Sequence, residues 1–490
     1  MVTDPDAAYL ALKTRDARFD GRLFVGVTST GIYCRPVCRV RLPRRENCRF
    51  FRTSAQAEAQ DFRPCLKCRP EIAPGLSHTD SSDALADAAA RRIQQAVQAG
   101  EALTMPSLAA RLGITDRHLR RIFQAAHGVS PRDYLGTQRL LLAKHLLTDT
   151  SQAVSQIALA SGFESLRRFN AAFAGRYRLN PTQLRRARSA TAAMATEPGA
   201  DPDCCLRLAY RPPYDIAAML GFFARREVRG IEQVETLGLR RTLRLHHGNE
   251  WLAGWLDLRF EPGRHELRLA VSASLMPALG AAMQRVRQMF DLDADPEAID
   301  AALAELPVPP QPGMRLPNGI DGFEVALRVI LGQQVTVKAA RTLIQRLVDR
   351  HGTAIETPYP ALNRLFPDAA TIAATSAESI GSLGIVRQRV GAIQALARAV
   401  ASGEIALDRH APLEPTLDAL RALPGIGEWT TQVIAMRALA WPDAWPATDI
   451  GLYNALGTRN PKQVQSHAEP WRPWRAYALM RLWHHLETKA

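Results

Sequence analysis

Four cysteines near the start of the chain, spaced Cys34-x3-Cys38-x26-Cys65-x2-Cys68, constrain its fold more than any other feature. Each close pair can be set by one turn of backbone, and four soft thiolates suit a single tetrahedral zinc ion. The wide gap between the pairs lets the metal staple residues 1–75, a turn-rich segment too small to fold comfortably on its own core. The seven cysteines are an odd, clustered set: Cys48 lies outside the four-ligand pattern, Cys204-Cys205 fall in the middle, and the last 285 residues have none. In a chain with no secretory start this distribution favours metal over disulfides, and Cys48 reads as a small buried side chain. Spacing alone fits a zinc knob that only holds the fold, as closed four-ligand sites usually do, better than it fits a reactive centre.

At 490 residues, close to half of them hydrophobic, the chain exceeds one core and suggests three or four domains. Stretches rich in Pro, Ser, Gly, Ala or Asp at 73–82, 187–203 and 306–318 read as linkers and divide it into segments 1–75, 83–190, 204–306 and 319–490. Strand-like runs alternate with helical ones in the third segment, giving an α+β expectation, while the second and fourth have helical periodicity throughout. No apolar run is long enough for a membrane helix, so the expectation is a soluble, cytoplasmic protein with no membrane partner. The net charge of +14 is carried wholly by residues 1–190, which hold 30 Lys/Arg against 16 Asp/Glu, whereas residues 191–490 hold 32 of each. Such an excess attracts phosphate backbones, although a basic solvated surface accounts for it equally well.

Segment 83–190 contains a repeat. Leu108-Ala109-Ala110-Arg111-Leu112-Gly113-Ile114 recurs as Ile157-Ala158-Leu159-Ala160-Ser161-Gly162-Phe163, and Leu119, Phe123 and Pro131 recur as Phe169, Phe173 and Pro181. Apolar spacing across Gly113 predicts two short helices joined by a tight turn, with Thr115 capping the second. Asp116, Arg117, His118, Arg120 and Arg121 then lie on or near the face that a recognition helix presents to the major groove, with Arg167, Arg168 and Asn170 as counterparts. In segment 319–490, Leu423-Pro424-Gly425-Ile426-Gly427 separates helical patterns at 415–422 and 428–440. Gly425 and Gly427 allow a turn and a close backbone approach, and the helix that follows offers free N–H groups to a DNA phosphate. Asp449 follows at Pro446-Ala447-Thr448-Asp449; an unpaired carboxylate beside a dry pocket can stabilise a sugar cation and activate water, although an isolated Asp at this place is also a helix cap. Six of the eight tryptophans lie beyond residue 428, where most are expected in the core and one or two in a pocket suited to cationic bases.

Three resemblances sharpen these readings. Phe24-Val25-Gly26-Val27-Thr28-Ser29-Thr30-Gly31-Ile32-Tyr33-Cys34-Arg35-Pro36-Val37-Cys38, with Arg45-Glu46-Asn47 and Phe62-Arg63-Pro64-Cys65-Leu66-Lys67-Cys68, resembles the Ada-type methyl phosphotriester repair domain. The resemblance implies one zinc ion held by Cys34, Cys38, Cys65 and Cys68, with Cys34 also the methyl acceptor. The repeat, with Pro131–Leu147 as a central helix and Gly162-Phe163-Glu164-Ser165-Leu166-Arg167-Arg168-Phe169-Asn170 before Asn180-Pro181, resembles an AraC-type DNA-binding domain. The alkylguanine-transferase part that follows in Ada proteins is missing, since Cys204-Cys205 has no Pro-Cys-His-Arg context. From Cys205 onward the chain resembles AlkA-type 3-methyladenine DNA glycosylases, on Arg211-Pro212-Pro213-Tyr214-Asp215, Met219-Leu220-Gly221-Phe222, Asp321–Val335, the hairpin and Trp471-Arg472-Pro473-Trp474-Arg475. By motif position Asp449 is then the catalytic acid, and Phe222, Trp429 and Trp483 are pocket aromatics. Gln334 stands where the family inserts a Leu wedge into DNA, and Val433 and Ile450 replace pocket tyrosines. The family also implies a monovalent cation on backbone carbonyls of the hairpin.

The fold expectation is therefore multidomain: a small zinc-bound α+β domain, an all-α AraC-type double helix-turn-helix, an α+β AlkA N-terminal-like domain and an all-α helix-hairpin-helix glycosylase domain. The functional expectation is a repair protein of the adaptive response acting on double-stranded promoter and alkylated DNA, with RNA polymerase as partner of the regulator half. Its alternative is a zinc-dependent regulator with a catalytically silent glycosylase-like domain, against which the retained Asp449 speaks.

Overall fold

A computed structural model describes residues 4–65, 67, 68, 70, 81–98, 103–149, 153–184, 205–247 and 250–489. The expected linker 187–203, all but the last two residues of 73–82, and Cys204 lie outside them. Among the described residues no helix is long and apolar enough to cross a membrane.

The first segment is α+β, as expected. Asp4 caps α1 (Pro5–Lys13) by accepting the N–H groups of Asp6 and Ala7. Strands β1 (Phe24–Val27), β2 (Ile32–Cys34), β3 (Cys48–Phe51) and, after α2 (Ser54–Glu58), β4 (Arg63–Pro64) form a sheet in the order β3-β1-β2-β4, antiparallel except for β2 with β4. Its own cores are small, as expected for a stapled segment: Phe24, Tyr33, Phe51, Ala57 and Phe62 in one cluster and Leu12, Val25 and Cys48 in another, while Ala8, Ala11, Phe19 and Leu23 join the large apolar cluster of the rest of the protein.

The second segment is helical: α3 (Ser81–Gln98), α4 (Met105–Arg111), α5 (Asp116–His127), α6 (Pro131–Asp149), α7 (Val154–Ala160) and α8 (Leu166–Tyr177). The repeat is realised as α4-turn-α5 and α7-turn-α8 on either side of α6. Thr115 caps α5 by accepting the His118 N–H at 3.2 Å, and Ser165 caps α8 in the same way through Arg168. The two units differ in what they pack on. The first, with α3, has its own core of Ile93, Leu108, Leu119, Phe123 and Tyr134. In the second, Ile157, Phe169 and Phe173 join a continuous apolar cluster that runs through the rest of the protein.

The remaining chain begins with β5 (Cys205–Ala209) and α9 (Ile216–Ala224), then β6 (Glu232–Glu235), β7 (Gly238–His247), β8 (Glu250–Glu261) and β9 (Glu266–Val271), followed by α10 (Leu279–Met289) and α11 (Pro296–Ala302). The strands form an antiparallel sheet in the order β5-β9-β8-β7-β6; Leu256, Leu258 and Phe260 of β8 are buried in the period-two pattern of a half-buried strand. Residues 306–318 are not a linker. Met314, Arg315, Leu316 and Asn318 are buried, and the Arg315 guanidinium donates to the carbonyls of Ala294 at 3.0 Å and Pro213 at 3.3 Å. Proline and glycine usually mark solvent turns, but here they shape an irregular passage through the interior, from which Arg315 reaches carbonyls of neighbouring turns and whose own N–H groups bond to Asp300, Asp291 and Met289. Segments 204–306 and 319–490 consequently share one core.

The last segment is α12 (Gly322–Leu331), α13 (Val337–His351), a short pair β10 (Thr353–Ala354) and β11 (Arg364–Leu365), α14 (Ala369–Ala374), α15 (Ala377–Gly381), α16 (Arg387–Ala401), α17 (Leu413–Ala422), α18 (Glu428–Arg437), α19 (Ile450–Leu456), α20 (Pro461–Ala468) and α21 (Arg475–Lys489). It is helical but for the β10–β11 pair. Helix α18 stops three residues before the expected 440, because Ala440 adopts φ 52° and the Trp441 N–H turns back to the Ala435 carbonyl.

Candidate functional site

The four cysteines converge. Cys34 ends β2, and the parallel β4 sets Cys65 beside it through a Cys65 N–H bond to the Tyr33 carbonyl. Cys38 follows in a turn closed on the Arg35 carbonyl, and the Arg35 N–H donates to Cys68 Sγ at 3.4 Å. All four sulfurs lie within 4.8 Å of one another, the clustering that tetrahedral zinc–thiolate bonds of about 2.3 Å require. The hydrogen bond to Cys68, burial and the neighbouring sulfurs hold the proton on Cys34, while the reciprocal bond pulls Cys68 down to about 6. Four thiols this crowded cannot all ionise without a cation among them, so the residues fit the metal. Cys48 stands apart, buried, with its thiol on the Arg44 carbonyl. Cys34 is 5% exposed, covered by Leu12 and Val25 and by Val40 and Leu42 of the following loop, whereas Cys68 is half-buried.

The basic faces are where the repeat puts them. Arg117, Arg120, Arg121, Arg167, Arg168 and Asn170 are exposed and His118 is half-buried. Arg120 and Arg168 pair with Asp116 and Glu164 one turn away, at 2.6 and 2.8 Å. Arg117 and Arg167 have no ion-pair partner among the described residues and remain available to phosphates or base edges.

In the hairpin, Gly425 adopts φ 76°, with Ala392 close beside it, and so needs glycine for its own conformation. Gly427 does not: a Cβ there would meet nothing within 4 Å, which leaves open space in front of the first N–H groups of α18. Gln333 braces the neighbouring loop, donating to the Gly425 carbonyl at 3.0 Å and to Thr430 Oγ1 at 2.8 Å. Gln334 is exposed at φ 53°, held between that brace and Val335, which lines the adjoining cavity.

Asp449 is 7% exposed, and it is not unpaired as expected. Its Oδ2 accepts Trp429 Nε1–H at 2.7 Å; its Oδ1 accepts Trp483 Nε1–H and the Leu452 N–H, both at 2.9 Å. It is thus a helix cap with neutral donors only: no ion pair reaches it among the described residues. Trp429 and Trp483 line a cavity of about 350 Å³ together with Phe222 and Val433, while Trp441, Trp445, Trp471 and Trp474 are core. Ile450, the other position where the family has a tyrosine, is 68% exposed beside Asp449 instead of lining the cavity. Phe222 lines the cavity but has protein partners of its own. Its ring carries the guanidiniums of Arg226 and Arg437, 3.7 and 4.9 Å from its centroid, so protein cations occupy the aromatic face expected to hold a cationic base.

The separate parts match known families along almost the whole chain. Residues 7–71 match the metal binding domain of Ada, 108–187 a helix-turn-helix domain, 205–321 the AlkA N-terminal domain and 327–473 the HhH-GPD superfamily of base excision DNA repair proteins. A Mycobacterium tuberculosis protein described as "probable bifunctional transcriptional activator/DNA repair enzyme AlkA" is 37% identical over 99% of this chain and 97% of its own length. The chain belongs to this bifunctional Ada–AlkA family.

The repair half of this Ada–AlkA protein is 31% identical, over 56% of the chain and 96% of the relative, to DNA-3-methyladenine glycosylase 2 of Escherichia coli. The front is 30% identical, over 38% of the chain and 83% of the relative, to the bifunctional activator and repair enzyme AdaA of Bacillus subtilis. In solved structures, a 3-methyladenine DNA-glycosylase from Archaeoglobus fulgidus shares the fold of 58% of the chain and 99% of its own, with a TM-score of 0.50 at 20% identity. The zinc and helix-turn-helix parts mark the front of this Ada–AlkA protein as a regulator, and both halves are DNA-binding parts that take double-stranded DNA as partner.

Beside the cavity lies a network that the sequence reading missed. Arg241 and Arg328, both cavity-lining, pair with Glu324 at 2.8 and 2.9 Å, and Arg328 also with Glu232 at 2.8 Å. Burial pulls the nearby Arg226 down to about 10 and Arg437 to about 9. The signal in the sequence was Glu324 and Arg328, an ion pair at i,i+4 inside the otherwise apolar helix Gly322–Leu331.

Proposed function

We propose that the repair half hydrolyses the N-glycosidic bond of alkylated bases and that the front half accepts methyl groups from DNA methylphosphotriesters on Cys34 and thereby activates transcription. The observation that carries the first part is the Asp449 carboxylate, buried and held by two cavity-lining indoles. Its negative charge stabilises the sugar cation as the C1′–N bond breaks and the alkylated base leaves with the electron pair; water beside it then forms the new bond to C1′ and passes its proton to the carboxylate, which returns it to solvent. No Lys lies between Gly425 and Asp449 to attack the sugar as an amine, so the strand stays intact. Gln334, at the exposed turn between hairpin and cavity, fills the gap left by the extruded nucleotide, while Gly425 and Gly427 admit its backbone.

In the front half, Cys34 Sγ attacks the methyl carbon of a phosphotriester, the carbon–oxygen bond breaks, and a phosphodiester and a thioether remain. Zinc, when bound by Cys34, Cys38, Cys65 and Cys68, keeps the sulfurs deprotonated at neutral pH. Because Cys34 is covered, loop residues Val40 and Leu42 must move aside for the triester to reach it. Arg117, His118, Arg120, Arg121, Arg167, Arg168 and Asn170 then hold promoter DNA for RNA polymerase, and the protein works in the cytoplasm. A monovalent cation at the hairpin fits the carbonyls of Leu423 and Gly425, each of which accepts one protein hydrogen bond and keeps a lone pair. As functional parts we assign 1–75, 83–190 and a repair half of 204–306 with 319–490. Release of methylated bases from alkylated duplex DNA by wild type, and its loss in Asp449→Asn, tests the reading; equal release by both refutes it.

A further inference from the structure

The indoles that hold Asp449 come from two helices. Trp429 is the second residue of α18, and Trp483 sits in the middle of α21. Apart from the Leu452 N–H, nothing else bonds the carboxylate among the described residues, so its aim depends on where these two helices lie. One short piece of the zinc domain, residues 16–22, far away in sequence, touches the first turns of α21 and the segment that directly follows α18.

At the start of α21, Asp16 accepts Nε1–H of Trp474, the residue just before the helix, at 3.2 Å, and Arg18 donates to the hydroxyl of Tyr477, which in turn donates to Asp291. Arg18 is locked by Asp16 through bonds of 2.9 and 2.6 Å and lies 3.5 Å from Asp291; the three charged side chains are 7–9% exposed. Tyr477 is six residues before Trp483, about 9 Å along the helix. On the side of α18, the Phe19 ring packs edge-on against Trp441 at 5.4 Å, and Arg22 lies 5.0 Å over the same indole and donates to the Arg409 carbonyl at 3.2 Å. Trp441 is tied back to Ala435 in the last turns of α18.

We infer that Asp16, Arg18 and Phe19 of the zinc domain are positioning residues of the glycosylase: they clamp α18 and α21 together so that Trp429 and Trp483 hold Asp449 in its working orientation. The inference rests on the reading of Asp449 as the catalytic acid. A merely adhesive contact would affect stability alone, whereas a clamp on both helices affects the chemical step, which tolerates little misplacement.

The test uses the full chain. Single-turnover release of methylated purines from alkylated duplex DNA is followed over a range of excess protein for wild type, Arg18→Ala, Arg18→Lys and Phe19→Ala. The limiting rate should fall about tenfold in Arg18→Ala and Phe19→Ala, with the half-saturating protein concentration within about twofold of wild type, and Arg18→Lys should recover much of the loss. In protein labelled with 15N-tryptophan, the indole N–H resonances of Trp429 and Trp483 should move as their bonds to Asp449 lengthen. Methyl uptake by Cys34 confirms that the zinc domain of each variant is folded; if Arg18→Ala fails this check, Phe19→Ala with the same readouts decides. Limiting rates within twofold of wild type and unmoved resonances overturn the clamp. A wild type that releases no base overturns the underlying reading instead, and the resonances then judge the clamp alone.

Discussion

Replacing Asp449 with Asn separates the chemistry of the glycosylase from its folding. The carboxylate accepts three N–H donors, Trp483 and Leu452 on Oδ1 and Trp429 on Oδ2. An amide has one acceptor oxygen. Its better orientation keeps the two bonds on the Oδ1 side and leaves the Trp429 indole facing an NH2 group, and a donor orphaned in a buried site costs about 1–3 kcal/mol. At about 2–4 °C per kcal/mol for a domain of this size, the unfolding transition of the repair half should fall by roughly 2–12 °C. Adding Trp429→Phe removes the orphan, so the double variant should be as stable as Trp429→Phe alone, with a coupling of about 1 kcal/mol or more between the sites. Catalysis should suffer far more. A carboxylate about 4 Å from a developing sugar cation contributes about 4 kcal/mol at an effective dielectric near 20, or about 10³-fold in rate. Thermal unfolding followed by tryptophan fluorescence and single-turnover base release give the two numbers. If Asp449→Asn releases methylated bases within about tenfold of wild type, or melts within about 1 °C of it, the indole-held carboxylate is not the working group.

Mass spectrometry after exposure to methylphosphotriester DNA should find one added methyl, on Cys34; a methyl confined to Cys38, Cys65 or Cys68 would refute the assignment, a sharp test because Cys68 is the more exposed residue. Leu42→Ala should speed that transfer several-fold by thinning the cover over Cys34, and an unchanged rate would show that loop motion does not limit it. Methylated protein should bind promoter DNA more tightly than unmethylated protein at low salt, because four thiolates on a dication carry −2 and a thioether leaves −1; equal affinities in filter binding across salt would exclude this switch. Borohydride should trap no covalent adduct between the repair half and alkylated or abasic DNA, and an adduct mapped to Lys338 or Lys462 would overturn the water-based mechanism.

Local pattern made much of this molecule readable. The cysteine spacing predicts the cluster because short turns alone set close pairs, and the repeat predicts both helix-turn-helix units because caps and apolar periodicity are local devices. What stayed hidden depends on residues distant in sequence. Asp449, Trp429 and Trp483 could each be picked out, but not the hydrogen bonds that join them across 20 and 34 residues, nor the guanidiniums that stack on Phe222. The stretch 306–318 misled because its prolines and glycine carry the same signal in a surface linker and in a buried irregular passage; only Arg315, reaching carbonyls from separate turns, distinguishes the two. Cys34 was legible as a ligand, but its cover of Val40 and Leu42 was not, since both read as ordinary loop residues.

The unequal packing of the two helix-turn-helix units has a consequence for how this protein comes apart. Because Ile157, Phe169 and Phe173 belong to the same apolar continuum as the repair half, while the first unit keeps a core of its own, the seams of cooperative opening do not coincide with the seams of gene fusion. Amides of α7 and α8 should exchange with solvent only when the enzyme body opens, whereas those of α4 and α5 are free to open earlier. One DNA-reading helix is thereby anchored to the machine that excises bases, and the other can give way first to fit a bent or unfamiliar site.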